Sequence, residues 1–369
     1  MADISSLGIY IHVPFCGKKC SYCNFYSVKY SKDLSCGFVD AVLRNIRFYA
    51  EKSHNVDTIY FGGGTPSLLA AEHLGKIIGE LKNNFTVETN AEITVEANPN
   101  TVNFDKLSGF RKAGINRISF GVQSLSDSEL KLLGRTHTAE RAKAAVKDAQ
   151  NAGFENISCD LMIAIPDQTA ETMYRSIDGL AKLGIRHISS YILKIEENTP
   201  FSLDNTAERM PGDDEIAELY IKMVSRLEQH GFMQYEISNF AAEGFESRHN
   251  TRYWKCLDYI GIGPSAHSCC GGTRFAAKND LEAFIKSDVQ PVITTDESPC
   301  GLDERIMLSL RLKRGLDLSE TGKSRCNIEK KIPDLIKAGY AEYDGNFLSL
   351  TPKGFLMSNS VIGYIIDAI

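Results

Sequence analysis

The 369-residue chain has no run of 18 or more apolar residues, which excludes an ordinary membrane-spanning helix. Its first residues, Met-Ala-Asp-Ile-Ser-Ser-Leu-Gly, lack the basic stretch and apolar stretch of a secretory signal, so the expected compartment is the cytoplasm. Basic charge is not in excess: Lys and Arg number 41 against 47 Asp and Glu, a net charge of -6. A nucleic-acid grip needs concentrated Lys and Arg, so no nucleic-acid partner is expected. Tryptophan occurs once, and neither internal repeats nor low-complexity tracts are present, which excludes solenoids and disordered linkers. The ten cysteines carry no secretory context and are expected to be reduced.

Three of those cysteines, Cys16, Cys20 and Cys23, form a CxxxCxxC motif directly after the first predicted strand. A structural zinc site takes four ligands, usually from two CxxC pairs, and no second pair follows at the required distance. A thioredoxin-like dithiol would use Cys20 and Cys23 and leave Cys16 without a role. Three thiolates on a [4Fe–4S] cluster leave one iron open to a ligand from solution, and that reading uses all three.

Up to residue 195 the sequence alternates short β-rich runs with amphipathic stretches. The runs cover 7–13, 58–61, 92–97, 117–121, 157–163 and 187–193, and the helical patterns between them cover 37–50, 71–82, 104–113, 139–152 and 170–183. Successive βα units imply a parallel sheet, because parallel strands need crossover connections. The predicted fold class is α/β, a partial (βα)6 TIM-like barrel, since the unusual residues cluster at the C-terminal ends of consecutive strands. Those residues are the cysteines, Gly62-Gly63-Gly64-Thr65-Pro66, Glu96 and Gln123. The domains predicted are a barrel over 1–235, a Gly- and aromatic-rich region over 236–295, and a C-terminal α+β winged-helix-like region over 296–369. The last comprises helical runs at 303–311, 317–324 and 327–338 and a hairpin at 341–350 turning at Asp344-Gly345.

Three consecutive glycines after a strand let a ligand lie against backbone groups. Glu96, Gln123, Arg135 and Asp160 form a polar ring suited to a ligand with an amino acid part and a ribose part. A third constellation joins His249-Asn250-Thr251-Arg252-Tyr253-Trp254 to Gly261-Ile262-Gly263-Pro264-Ser265-Ala266-His267-Ser268. A histidine in such a setting is commonly structural, but imidazole is also an axial ligand of haem iron and aromatic rings stack on porphyrins. Cys256, Cys269 and Cys270 are nearby soft donors with the bland alternative of small buried hydrophobes.

Together the cysteine motif, the glycine turn and the βα repeat resemble the radical S-adenosylmethionine (SAM) superfamily. Further motifs are Tyr10-x-His12-x-Pro14-Phe15-Cys16, Gly121-Val122-Gln123-Ser124, Asp160-Leu161-Met162 and His249-Asn250-x-x-Tyr253-Trp254. With these the chain is similar to the haem-chaperone branch of the coproporphyrinogen dehydrogenase-like family. The resemblance implies a [4Fe–4S] cluster on Cys16, Cys20 and Cys23. It implies SAM contacts from Tyr10, Gly63, Gly64, Glu96, Gln123, Arg135 and Asp160, and haem binding by His249. It further implies haem as cargo and haemoproteins, membrane respiratory enzymes among them, as acceptors. The alternative is an enzyme acting on a tetrapyrrole, such as the family's oxygen-independent coproporphyrinogen III dehydrogenase. That enzyme has a fourth cysteine where this chain has Phe25, and an N-terminal extension ahead of its cluster motif.

Overall fold

The computed structural model describes residues 6–50 and 55–369. Six parallel strands form its centre: β1 (Ser6–Val13), β2 (Asn55–Gly63), β3 (Thr86–Ala97), β4 (Arg117–Gln123), β5 (Asn156–Ile163) and β6 (His187–Ile192). The crossovers are α1 (Lys32–Tyr49), α2 (Ala71–Asn84), α3 (Phe104–Lys112), α4 (Ala139–Asn151) and α5 (Ala170–Ala181). The six βα strands predicted from sequence are all present, with bounds within a few residues of those expected save the start of β3. The first helix starts five residues earlier than its periodicity suggests, at Lys32 rather than 37, because the Ser31 side chain caps it through the amide of Leu34. Gly37 then lies inside the helix, where its missing side chain admits Ile285.

The sheet extends beyond the six strands on both sides. Next to β6 come β8 (Asn239–Ala241) and β7 (Met233–Glu236), both antiparallel. On the other side β9 (Tyr259–Ile262) pairs parallel with β1, followed by antiparallel β10 (His267–Cys270), β11 (Thr273–Ala277) and β12 (Val292–Asp296). The twelve strands run in the order β12-β11-β10-β9-β1-β2-β3-β4-β5-β6-β8-β7, so the sheet does not close. Its six central strands nevertheless curl enough for Tyr10 of β1 and Tyr191 of β6 to line one cavity.

Alternation along the strands gives the sheet two different faces. Ile9, Ile11 and Val13, Ile59 and Phe61, Ile93 and Val95, Ile118 and Phe120, and Ile157 and Cys159 are buried in the main apolar core. Residues of the opposite parity are polar: Tyr10 and His12, Thr58 and Tyr60, Glu92 and Glu96, Arg117 and Ser119, Ser158 and Asp160, His187 and Ser189.

Past the sheet, α6 (Asp213–Gln229) packs against α5, and α7 (Arg248–Trp254) packs on β2. The C-terminal region holds α8 (Leu302–Ser309), α9 (Arg325–Lys337) and a three-stranded sheet of Leu316–Asp317, Phe347–Leu350 and Ala341–Tyr343. Residues 317–324, expected as a helical run, are helical from Leu318 to Ser324 but as a 3-10 helix, with Asp317 ending a short strand. The strand wins because Leu316 and Asp317 pair with Leu348 and Phe347, and Gly322, with φ 55, breaks the helical path. Among the described residues no helix is long and apolar enough to cross a membrane.

Arg252 ties α7 to the sheet. Buried to 2% exposure, it donates from Nη1 to the carbonyls of Ser6 (3.0 Å) and Asp258 (2.9 Å), and from Nη2 to Ser6 Oγ and the Asp57 carboxylate. Gly8 makes the room: a Cβ there would lie 2.5 Å from Arg252 Cδ. Removing one partner of such a pair strands the other. Arg252→Met is therefore expected to lower stability by about 3 kcal/mol or more, read from the denaturant midpoint; an unchanged midpoint would show that this anchor is dispensable.

Candidate active site

A cavity of about 640 Å³ opens at the C-terminal ends of the six central strands. Its lining includes Tyr10, Cys16, Cys20, Cys23, Gly63, Gly64, Glu96, Gln123, Arg135 and Asp160, so ten of the eleven site residues predicted from sequence meet in one place. His249 is the exception. The lining also includes Tyr60, Tyr191, Asn250 and Tyr253, which the strand-end reading did not assign to the cavity. The alternation rule could have found Tyr60, two residues before Gly62 on the same face; Tyr191 stands likewise two residues after Ser189.

The cysteine loop is stapled at its base. Phe15–Cys16 pairs parallel with Val28–Lys29, and the amides of Val28 and Tyr30 donate to the carbonyls of Pro14 and Cys16 at 2.7 and 3.1 Å. Its middle is held by Ser21, whose amide donates to the Leu133 carbonyl at 3.2 Å. Gly134, at φ +73, permits this approach, since a Cβ there would stand 2.6 Å from Ser21 Oγ. The next residue, Arg135, donates from Nη1 to Cys20 Sγ at 3.3 Å and from Nη2 to the Gly121 carbonyl at 2.5 Å.

All three cysteines are unbridged and partly buried, and burial pushes the Cys23 thiol up, with its neighbours Cys20 and Cys16 adding to the shift. Among the described residues no three His, Cys, Asp or Glu side chains gather closely enough to hold a single ion. A cubane cluster does not ask for that: each cysteine takes a different iron, so three thiols around one corner of a cavity suit a [4Fe–4S] cluster better than a lone zinc. The residues present fit the cluster.

The glycine turn and the carboxylates share the adjoining wall. Gly63 has φ +107 and its amide donates to Glu96 Oε2 at 3.1 Å, while Tyr60 donates its hydroxyl to Glu96 Oε1 at 2.8 Å. A Cβ on Gly64 would lie 2.7 Å from the Phe15 carbonyl oxygen, so glycine is required for the turn to lie against the cysteine loop. Ser119 donates to Asp160 Oδ1 at 3.0 Å. Gln123, at φ 69, holds a left-handed conformation rare for a residue with a side chain, at the mouth of the cavity. Burial pushes the Glu96 carboxyl up to about 7, with Asp160 adding to it, and burial also raises Asp160.

His249 lies beneath the cavity floor, completely buried. Its Nδ1 is 2.9 Å from Thr58 Oγ1 and its Nε2 is 2.8 Å from the Tyr253 hydroxyl. Its ring stacks 5.2 Å from that of Tyr60 and 6.3 Å from that of Tyr10. Burial lowers its pKa to about 3, so the imidazole is neutral. The helix that carries it is capped by Ser247 Oγ, which accepts the Asn250 amide, and by Glu92, whose carboxylate accepts the amides of Arg248 (3.1 Å) and His249 (3.0 Å). The segment 261–268 serves packing: Gly263, at φ +116, sits where a Cβ would be 2.4 Å from the His12 carbonyl, and Gln290 bonds both the Gly263 amide and the Gly261 carbonyl.

A curled parallel sheet with a three-cysteine loop and a glycine turn at its mouth defines the radical SAM class, and residues 10–180 match the radical SAM superfamily. The fold is also that of coproporphyrinogen III oxidase (HemN) from Escherichia coli, a radical SAM enzyme, with a TM-score of 0.82 over 98% of this chain and 90% of that one, at 22% identity. Among curated proteins, the heme chaperone HemW of Lactococcus lactis is 32% identical over 95% of both chains. That of Bacillus subtilis is 33% identical over 96% of this chain and 97% of its own, and that of E. coli 32% over 98% of both. The chain belongs to the HemW family.

The ionisation of Glu96 yields a pH signature. The folded chain keeps this proton up to about pH 7, whereas an unfolded glutamate loses it near 4.5. Between those values the folded state binds more protons, so rising pH lowers stability across that window and leaves it lower above. Glu96→Gln is expected to remove this fall, worth on the order of 3 kcal/mol. The variant of the ligand-free protein should gain on the parent between pH 5 and 8 in urea titrations; parallel curves would place the proton elsewhere.

Proposed function

We propose that the protein binds haem and passes it unchanged to haemoproteins, on a scaffold whose cysteine loop holds a [4Fe–4S] cluster and whose cavity takes SAM. The observation that carries this reading is similarity over almost the whole chain to proteins named heme chaperone HemW. Cys16, Cys20 and Cys23 would hold the cluster. When bound, such a cluster supplies one-electron reducing chemistry and an open iron for a chelating ligand. Glu96 and Asp160 offer acceptors for ammonium or hydroxyl groups, and Arg135, beside Cys20, offers a cation to a carboxylate.

Phe25 supports the chaperone over the dehydrogenase. It stands 62% exposed on the cavity rim, where the resemblance puts the enzyme's fourth cysteine. The second reading, a radical enzyme acting on a tetrapyrrole, is favoured by the polar ring, which is complete from Tyr10 to Asp160. We further assign residues 1–235 to the cluster and SAM, 236–295 to haem, and 296–369 to a winged-helix-like cap, with a cytoplasmic location and membrane respiratory haemoproteins among the acceptors.

His249, neutral, has the protonation state an axial ligand needs. To reach iron, its Nε2 must leave the Tyr253 hydroxyl, which makes Tyr253 the gate of the haem site.

The deciding experiment incubates cluster-reconstituted protein anaerobically with SAM and reductant, in parallel with haem and with coproporphyrinogen III. Bound but unaltered haem and untouched coproporphyrinogen are expected; protoporphyrinogen or an altered haem would establish the enzyme instead. Replacing any of Cys16, Cys20 or Cys23 by Ala should abolish the cluster's absorbance while the far-UV circular dichroism persists. Tyr253→Phe removes one hydrogen bond to His249, so haem association in stopped flow should quicken by about tenfold, and His249→Ala should lose the parent's haem spectrum. Unchanged rates and spectra in both would place the ligand elsewhere.

A further inference from the structure

Two of the three sulfurs in the cysteine loop already have a side-chain hydrogen-bond partner, each from a different crossover. Thr65, between β2 and α2, places Oγ1 3.7 Å from Cys16 Sγ. Arg135, between β4 and α4, donates from Nη1 to Cys20 Sγ at 3.3 Å. Both partners also line the cavity. Thr65 belongs to none of the roles assigned above.

The main chain sets both contacts. Thr65 immediately precedes the 3-10 turn Pro66–Leu68, a position from which threonine commonly caps with its hydroxyl, yet its side chain makes no capping bond. Two main-chain bonds fix it against the cysteine loop: the Gly64 amide donates to the Val13 carbonyl at 2.9 Å and the Thr65 amide to the Phe15 carbonyl at 2.7 Å. These bring the hydroxyl to the sulfur of the residue after Phe15. Arg135 is held through its own amide, on the Leu130 carbonyl at 2.9 Å, and through Nη2 on the Gly121 carbonyl. The bond from the Ser21 amide to the Leu133 carbonyl keeps Cys20, one residue before Ser21, in register with it.

We propose that Thr65 and Arg135 set the reduction potential of the cluster by donating to the sulfurs of Cys16 and Cys20, an inference that rests on the reading of the cysteine loop as a [4Fe–4S] site. In the free thiols either partner can supply the hydrogen of the Thr65–Cys16 bond. A thiolate bound to iron can only accept, so there the hydroxyl donates. Reduction adds one electron from an external low-potential donor, with no proton transferred and no covalent bond exchanged, and the added negative charge is shared by iron and sulfur. Donors to sulfur therefore stabilise the reduced state more than the oxidised one and raise the potential. Thr65 contributes a neutral hydrogen bond. Arg135 contributes a charge-assisted one, roughly twice as strong.

This role adds to the one proposed for Arg135 toward a carboxylate. Each Nη carries a second hydrogen, so one guanidinium can face both the Cys20 sulfur and a ligand in the cavity. The tuning acts on the sulfurs themselves. It is present before any ligand enters and is independent of whether haem is the cargo, so its test needs neither SAM nor haem.

The test reconstitutes the full chain anaerobically, counts its iron and sulfide, and follows the electron paramagnetic resonance signal of the reduced cluster through a mediated potentiometric titration. Thr65→Val keeps the β-branched shape and loses the hydroxyl. It is expected to disfavour reduction by about tenfold, a midpoint about 59 mV more negative, and Thr65→Ser, which restores the donor, should recover most of that shift. Arg135→Gln should lower the midpoint further than Thr65→Val does, and Arg135→Lys, which keeps the charge without the planar fork, should fall between Arg135→Gln and the parent. Unmoved midpoints in Thr65→Val and Arg135→Gln at equal iron content would overturn the proposal, as would a Thr65→Ser midpoint no higher than that of Thr65→Val. Variants that take up no cluster beside a loaded parent would assign the two donors to cluster retention and also overturn it. A parent that binds no iron would remove the cluster reading itself, and this inference with it, which separates that failure from the others.

Discussion

Arg117 stands fully buried in the middle of the sheet's inner face, and the polar interior of the barrel is built around its charge. Burial works against the guanidinium, but Glu92, Tyr60, Tyr235 and Asp160 outweigh that cost and keep it protonated. Taking an ion out of water costs several kcal/mol even after relaxation. The carboxylates inside the barrel face the same penalty, and Arg117 is among the groups that hold Glu96 and Asp160 down against it. Neither sign of charge could be kept there without the other. This is why the strands alternate so strictly: the outward parity packs apolar side chains against the crossover helices, and the inward parity carries a network of charges and hydroxyls that ends at the cavity.

That alternation also explains what the sequence allowed to be read. Ile9-Tyr10-Ile11-His12-Val13 and Arg117-Ile118-Ser119-Phe120 announce strands with one wet and one dry face, and the crossovers between them follow from parallel pairing. The strand ends were legible as a site because Gly62-Gly63-Gly64 and the three cysteines cannot be explained by a core. The flanks of the sheet were not. Strands β8 to β12 are three to five residues long, too short for a period to register, and β9 joins β1 across some 250 residues of chain, for which no local pattern exists. The short strand Leu316–Asp317 ahead of the 3-10 helix was hidden for the same reason, since it is set by pairing with Leu348 and Phe347.

His249 shows a different limit. The motif marks a residue of consequence, but neither spacing nor composition reveals that both ring nitrogens are already engaged. The engagement comes from the sheet: Thr58 is an inward-facing residue of β2, and Glu92, inward-facing on β3, fixes the N-terminus of the helix. The His249 motif is thus seated on the same inward parity that builds the cavity.

This shared seating makes the floor of the cavity a common element of two sites. Tyr60 uses its hydroxyl to hold Glu96 and its ring to stack on His249, and Tyr10 packs against both rings. Moving His249 toward a metal would remove the stack that positions Tyr60, and hence one of the two bonds that keep Glu96 turned toward the Gly63 amide. The reverse path is equally short. Two sites joined through one rigid ring are coupled in both directions by the same free energy, and close packing makes such a ring respond by discrete rearrangement rather than gradual strain. A protein that carries this cavity above the buried His249 therefore has, in Tyr60, the physical means for a change at one to be felt at the other.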